Sequence, residues 1–171
     1  RGVKHESLPE KVREGIQLHR AVDRFTDSHE IFKDLRKYFS PEKRRFSGIV
    51  LDVVFDHFLI QHWEKYTTKD FNTFVEVCYR DLWSQRALMP ERMEMVVGWM
   101  IKRDWIRSYA ELEQVGRALD GLAGRLRLKH DFHGSIAEVH EHYDAIEAGF
   151  LTFFPDLLAY VKRYNSQGPD Q

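Results

Sequence analysis

The residues of this chain best suited to chemistry are carboxylates and imidazoles set in apolar company. The run Ser47-Gly48-Ile49-Val50-Leu51-Asp52-Val53-Val54-Phe55-Asp56-His57-Phe58-Leu59-Ile60 is apolar almost all the way round a helix, which reads as a buried helix, yet it carries Asp52, Asp56 and His57. At about 100° per residue, Arg45, Asp52 and Asp56 fall within roughly 40° of one another and form one polar stripe. A buried carboxylate without a partner is costly, so each needs a cation, hydrogen-bond donors or a metal ion. Two readings stay open here: an internal Arg45–Asp52 ion pair that fixes helix packing, or a site. A second cluster lies upstream, with His19, Arg20, Asp23 and Arg24, and Asp27 just beyond. His19 and Asp23 are four apart and share a helix face. An imidazole and a carboxylate at that spacing can hold one divalent ion, or the carboxylate can orient the imidazole. An ordinary surface hydrogen bond has the same spacing. The pair gains meaning only if its face meets the Asp52/Asp56 stripe.

The elements that must position these residues are all helical, because apolar residues recur at helical spacing and no run alternates long enough for a sheet. Pro9 opens a helix running to about Phe25. Asp27 with Glu30 reads as a capping box for a helix to about Phe39. Ser40-Pro41 starts a long helix that reaches toward Lys65. Further helices are expected over Asp70–Gln85, from Pro90 to Ile101, from a Ser108/Glu111 capping box to Arg125, and from Ser135 to Phe153, with Pro155 opening a short last one. The expected fold is an all-α, single-domain bundle of about eight helices over residues 1–164, followed by a polar C-terminal tail, 165–171. Twelve aromatic residues are expected to fill its core: Phe46, Phe55, Phe58, Trp63, Phe71, Phe74, Trp83, Trp99, Trp105, Phe150, Phe153 and Phe154.

Composition narrows the function classes. The 171 residues are 43% hydrophobic and 31% charged, the profile of a soluble globular domain. One cysteine, Cys78, rules out an internal disulfide framework and suits a reducing cytoplasm. Cys78 sits among Phe74, Val75 and Val77 and reads as core filler. No stretch approaches the roughly 18 apolar residues of a membrane span, and no charged-then-apolar leader opens the chain. A net charge of −1 argues against a general nucleic-acid binder. The charge is uneven, with 12 Lys/Arg against 8 Asp/Glu in residues 1–48. The excess is sharpest from Lys33 to Arg45, either a solvated face or a landing surface for an acidic or phosphate-bearing partner. His130 and His133 read as exposed loop residues. Glu138 and His142 have helical spacing, but no second Glu-x-x-His motif supports a di-iron bundle. No Gly-rich phosphate loop, G-x-S-x-G elbow or H-E-x-x-H motif is present.

The order Gly15-Ile16-x-x-His19-Arg20-x-x-Asp23-x-x-Thr26-Asp27-x-His29, then Arg36-x-x-Phe39, Arg44-Arg45, and Leu51-Asp52-Val53-x-Phe55-Asp56-His57-Phe58-Leu59-x-x-His62-Trp63 resembles the acyl carrier protein phosphodiesterase family. The likeness continues at Asp104-Trp105, His142-Tyr143 and Phe153-Phe154-Pro155. The resemblance implies a divergent HD-type, metal-dependent phosphohydrolase. Such an enzyme cleaves holo-acyl carrier protein to apo-acyl carrier protein and 4′-phosphopantetheine, with Mn²⁺ or Mg²⁺ as the expected ion. Carried over residue by residue, it points to His19, Asp23, Asp56 and His57 as catalytic candidates. His19, Asp23, Asp52 and Asp56 become candidate metal ligands. Family members carry a His-containing segment and an Asp-Phe-type motif ahead of a Lys/Arg-Gly. Arg1-Gly2 resembles the end of that motif, so an upstream histidine and aspartate are expected to precede this sequence.

The chemistry suits that resemblance. A divalent ion neutralises a phosphodiester and lowers the pKa of an attacking water toward ~7. Arg20, Arg36, Arg44 and Arg45 are the candidate substrate-binding residues, because guanidinium groups hold phosphate oxygens bidentately. Acyl carrier proteins are acidic, so the Lys33–Arg45 excess would steer one in and fade with salt. Two rivals stand beside this reading: a non-catalytic helical adaptor for an acidic protein, and an HD-type hydrolase of a small nucleotide.

Overall fold

The computed structural model describes residues 8–124 and 132–167, and every regular element in them is helical. Arg1, Gly2, Arg125, His130 and the end of the polar tail lie outside the described residues. Pro9 stands at the entry to α1 (Glu10–Ser28), where its missing N–H costs nothing. Asp27 is inside α1, so the capping box expected with Glu30 does not form. The chain instead turns at His29, whose extended backbone starts α2 (Glu30–Leu35). A single 3₁₀ turn follows (Arg36–Tyr38).

The long helix expected from Pro41 to Lys65 is three pieces, α3 (Pro41–Arg44), α4 (Ser47–Gln61) and α5 (Trp63–Tyr66). The first break has a local cause. The Ser47 hydroxyl donates to the Arg44 carbonyl at 2.7 Å, and the Phe46 N–H takes the Lys43 carbonyl at 2.8 Å, so side chain and tight turn displace helical bonding. Phe46 is 4% exposed and packs on Phe132, and that burial anchors the kink. The second break falls at His62, whose imidazole reaches Glu147 at 2.8 Å.

The Asp70 carboxylate caps α6 (Phe71–Ser84) by accepting from the Thr73 N–H at 2.8 Å. Pro90 precedes α7 (Glu91–Lys102). Ser108 closes the short α8 (Trp105–Ser108) by donating to the Trp105 carbonyl, so it does not cap α9 (Leu112–Ala123) as the sequence suggests. Ser135 precedes α10 (Ile136–Glu141) but turns its hydroxyl back to the Phe132 carbonyl. Pro155 sits inside α11 (Tyr143–Gln167) and starts no helix of its own. Among the described residues eleven α-helices therefore stand where about eight helices were expected, mainly because breaks divide expected long ones.

The core lies around α4. Val50, Leu51, Val54, Phe55 and Phe58 interlock with Phe32, Phe39, Val115, Leu119, Ile146, Phe150 and Phe153, all buried. Gly149 permits the close approach of α11 to α2, since a Cβ there would meet Leu35 at 2.7 Å. No residue between Tyr66 and Tyr109 joins this cluster. The α6–α7 hairpin instead buries Val75, Tyr79 and Val97 among itself and leans on the bundle through Trp63 and α8. Phe74, Trp83 and Trp99, expected in the core, are exposed on this hairpin. Among the described residues no helix is long and apolar enough to cross a membrane.

Candidate active site

The polar stripe of α4 and the acidic face of α1 meet. α4 buries every face but one, and its open side carries Gly48, Asp52 and Asp56 at four-residue steps. α1 brings His19, Asp23 and Asp27 to the same place. Between them lies an open cleft of about 570 Å³. One wall holds His19, Asp23, Asp27, Asp52 and Asp56, while the other is apolar, with Phe150, Phe153, Phe154 and Leu157 of α11. Among the described residues no lysine or arginine lines it. The His19/Asp23 face of α1 thus lines the same cleft as the Asp52/Asp56 stripe of α4.

Four aspartates in one cleft repel one another. Both Asp52 and Asp56 are exposed by surface area, yet the concave walls strip part of their hydration. That desolvation, with repulsion from Asp27 and Asp23 behind it, raises the Asp52 carboxyl to about 6. Arg36 and His19 oppose the rise. Desolvation, then the charge of Asp52, raises Asp56 to about 6. Both folded-state values lie above the ordinary carboxylate value of 3.8, so the native state holds extra protons between about pH 4 and about 6. Stability from these two groups is therefore greatest below that window and falls as pH rises through it. In metal-free protein, Asp52→Asn is expected to flatten the decline in melting temperature from pH 4.5 to 7 (values on the order of this window). A variant whose melting temperature falls as steeply as the wild type would contradict the repulsion.

His19 stands 3.6 Å from Asp23, and both are well exposed. The donor chemistry, carboxylates with one imidazole, suits a hard divalent cation. Among the described residues, however, no three His, Cys, Asp or Glu side chains stand close enough to form a metal cage. The site therefore fits an ion held by one or two carboxylates and completed by water and substrate phosphate oxygens, the usual manner of Mg²⁺, and does not fit a closed all-protein cage.

His57 does not face this cleft. It is 3% exposed and both ring nitrogens are engaged. A carbonyl oxygen only accepts, so Nδ1–H donates to Tyr109 O at 2.8 Å, and the Tyr143 hydroxyl donates to Nε2 at 3.0 Å. One residue past Asp56 on a helix points about 100° away, and here that direction is the core. His57 is thus placed in the core, held by two hydrogen bonds and apart from the cleft that His19, Asp23, Asp52 and Asp56 line.

The Arg45–Asp52 ion pair is also absent. The break at Phe46 takes Arg45 out of register with α4, and its guanidinium lies over the Phe46 ring at 5.0 Å. Arg36 replaces it as the nearest cation. Its Nε donates to Ser47 Oγ at 3.2 Å, and its Nη2 lies 3.3 Å from the place a Gly48 Cβ would occupy. Gly48 thus leaves room for Arg36 at the head of the Asp52/Asp56 stripe. Arg44 donates to the Phe39 carbonyl at 3.3 Å, and Arg20 is exposed on α1.

The basic segment is less free than its composition suggests. Lys33 pairs with Glu30 at 2.9 Å, Lys37 with Asp34 at 3.1 Å, and Lys43 with Glu138 at 3.7 Å. His133 is exposed, as expected, near Asp120. Cys78 is part-exposed on α6, and burial pushes its thiol up, opposite to what a nucleophile needs. Tyr109 was not foreseen as a neighbour of the site. Burial and the charge of Asp56 both raise its hydroxyl, which places it within electrostatic reach of that carboxylate.

Comparison with known proteins agrees with the residue order. A sequence profile described as acyl carrier protein phosphodiesterase matches residues 1–157. A relative named acyl carrier protein phosphodiesterase from Yersinia pestis is 32% identical over 92% of this chain and 82% of its own length. Relatives of the same name from Serratia proteamaculans and Escherichia coli are 34% and 32% identical, over 86% and 95% of the chain and 77% and 85% of their own lengths. No solved structure matches at a significant level.

Proposed function

The chain belongs to the acyl carrier protein phosphodiesterase family, and from that premise we propose that it is a phosphoric diester hydrolase that converts holo-acyl carrier protein to apo-acyl carrier protein and 4′-phosphopantetheine at the acidic cleft. The observation that supports the cleft is the meeting of the α1 and α4 carboxylates in one concave site with an apolar wall.

In the reaction water oxygen bonds to phosphorus, the P–O bond to the serine oxygen breaks, and the serine oxygen leaves with a proton. Asp52 and Asp56, with carboxyls near 6, are suited to take up and return a proton close to neutral pH. Asp23 orients the His19 imidazole beside them. Arg36, at the head of the stripe, is suited to a phosphate oxygen. One or two of the candidate carboxylates Asp23, Asp52 and Asp56 would hold Mn²⁺ or Mg²⁺, with water and phosphate oxygens completing its shell, and the ion when bound would supply charge neutralisation at the phosphate and a more acidic water. The apolar wall on α11 suits the uncharged pantetheine arm. The reading carries a cytoplasmic location, where a single thiol stays reduced.

Incubation of holo-acyl carrier protein with the full-length protein, read by mass, is expected to show loss of phosphopantetheine in the presence of Mn²⁺ and none with chelator. An unchanged carrier-protein mass under all metal conditions would refute the proposal. Chelator-insensitive cleavage would keep the reaction and remove the metal.

A further inference from the structure

A second depression adjoins the acidic cleft, and its charge is the opposite. It encloses about 380 Å³ between α4, α8 and α9. Arg103, Trp105, Tyr109, Gln114 and Arg117 line it, and among the described residues no carboxylate does. Val53 belongs to both depressions, so one side chain's width separates them. Tyr109 ties them as well, being in this lining and within electrostatic reach of Asp56.

The two arginines have no acid to answer them among the described residues. Among the described residues Arg117 donates a hydrogen bond to Gln114 Oε1, at 3.4 Å, and forms no ion pair. Of the acids near in sequence, the exposed Glu113 makes no ion pair with Arg117, and two are engaged elsewhere. Asp104 takes Arg107 at 3.2 Å, and Asp120 accepts the Gly134 N–H at 2.9 Å. The turn that presents Arg103 and Trp105 is held in place. Asp104 sits in the left-handed region (φ 50°), unusual for a residue with a side chain, and the Tyr79 hydroxyl accepts the Ile106 N–H at 2.9 Å one turn on. Strain of that kind persists where neighbours fix it, and here they fix the rim of a cationic depression.

We propose that this depression receives a carboxylate of the protein substrate, beside the phosphodiester held in the acidic cleft. The inference rests on the hydrolase reading above. Its chemistry is an oxyanion on two guanidinium groups, and its source follows from the substrate. Beyond its phosphate, pantetheine is a chain of amides and a thiol, with no second anion at neutral pH. An anion lying one side chain away from the scissile phosphate must then come from the protein side, as an acidic residue near the modified serine. This orients the substrate, with the carrier over α8 and α9 and the arm running the other way along Phe154 and Leu157 of α11.

The test measures binding of apo-acyl carrier protein, which lacks the phosphodiester, to full-length wild type, R103E/R117E and R103K/R117K by calorimetry. The charge-reversed variant is expected to bind at least tenfold more weakly, and the lysine variant to keep most of the affinity. Both positions are exposed, and the charge-neutral R103Q/R117Q serves should the reversed variant fail to fold, its affinity being expected to be lower than that of wild type and to fall less steeply with salt. The loss in the charge-reversed variant is expected with apo- and holo-carrier protein alike. If wild type cleaves holo-carrier and R103E/R117E binds as tightly, this assignment is overturned and the hydrolase reading stands. A loss of affinity in R103E/R117E for holo- but not apo-carrier protein would overturn the protein-side source. If wild type neither binds nor cleaves, the hydrolase reading fails first and this one with it.

Discussion

Asp56→Asn is expected to lower kcat/KM for phosphopantetheine release by about 10²–10⁴-fold, the span that a positioned acid–base group supplies. Asn keeps the shape of Asp and removes both its negative charge and its proton exchange. The same change should raise the melting temperature of metal-free protein at pH 7, because Asp56 is a desolvated carboxylate beside Asp52. Activity and stability thus move in opposite directions, as expected where a site is kept charged against its own repulsion. The measurement is paired: steady-state hydrolysis of holo-carrier and a thermal melt at the same pH. Turnover within tenfold of wild type would remove Asp56 from the chemistry.

The neighbouring position should behave the other way. His57→Ala is expected to cost about 2–4 kcal/mol of folding stability, from a cavity and two stranded polar groups. Tyr109 O and the Tyr143 hydroxyl both lose their partner in the interior. Urea unfolding, followed at the transition of the central bundle, measures the loss. The protein that remains folded in the cold should turn over within a few-fold of wild type. A proton-handling His57 would give the reverse pattern, near-normal stability with collapsed kcat.

The contrast between these adjacent residues shows how far a sequence can be read. That α4 is buried apart from one polar stripe was legible, because a run apolar on nearly every face leaves little choice of environment. The stripe itself, Asp52 and Asp56, followed from angle alone. That His19 and Asp23 face it was not legible, since it depends on how α1 and α11 pack around α4. His57 misled because two polar residues in sequence share a label but point about 100° apart. Arg45 misled because the angular argument assumed one continuous helix. The Ser47 hydroxyl and the buried Phe46 break it, and a serine that bonds back to a carbonyl carries no mark in the sequence that separates it from one that does not. Arg36 was named on its type and its match to the family order, yet its place over Gly48 is a tertiary fact. The capping boxes failed for a similar reason. Asp27 and Ser108 have the right neighbours, but the helices around them run past or stop short of those positions.

The α6–α7 hairpin also bears on cooperativity. It shares none of its buried residues with the central cluster and rests on an interior of its own, Val75, Tyr79 and Val97. Such a unit has its own, smaller opening free energy, below that of the bundle. Heat or denaturant can then release it while α4 and its neighbours persist, and a single two-state free energy does not describe the whole chain. Trp83 and Trp99, both on the hairpin, report on that early event, whereas the ring contacts of Phe55 and Phe150 belong to the late one.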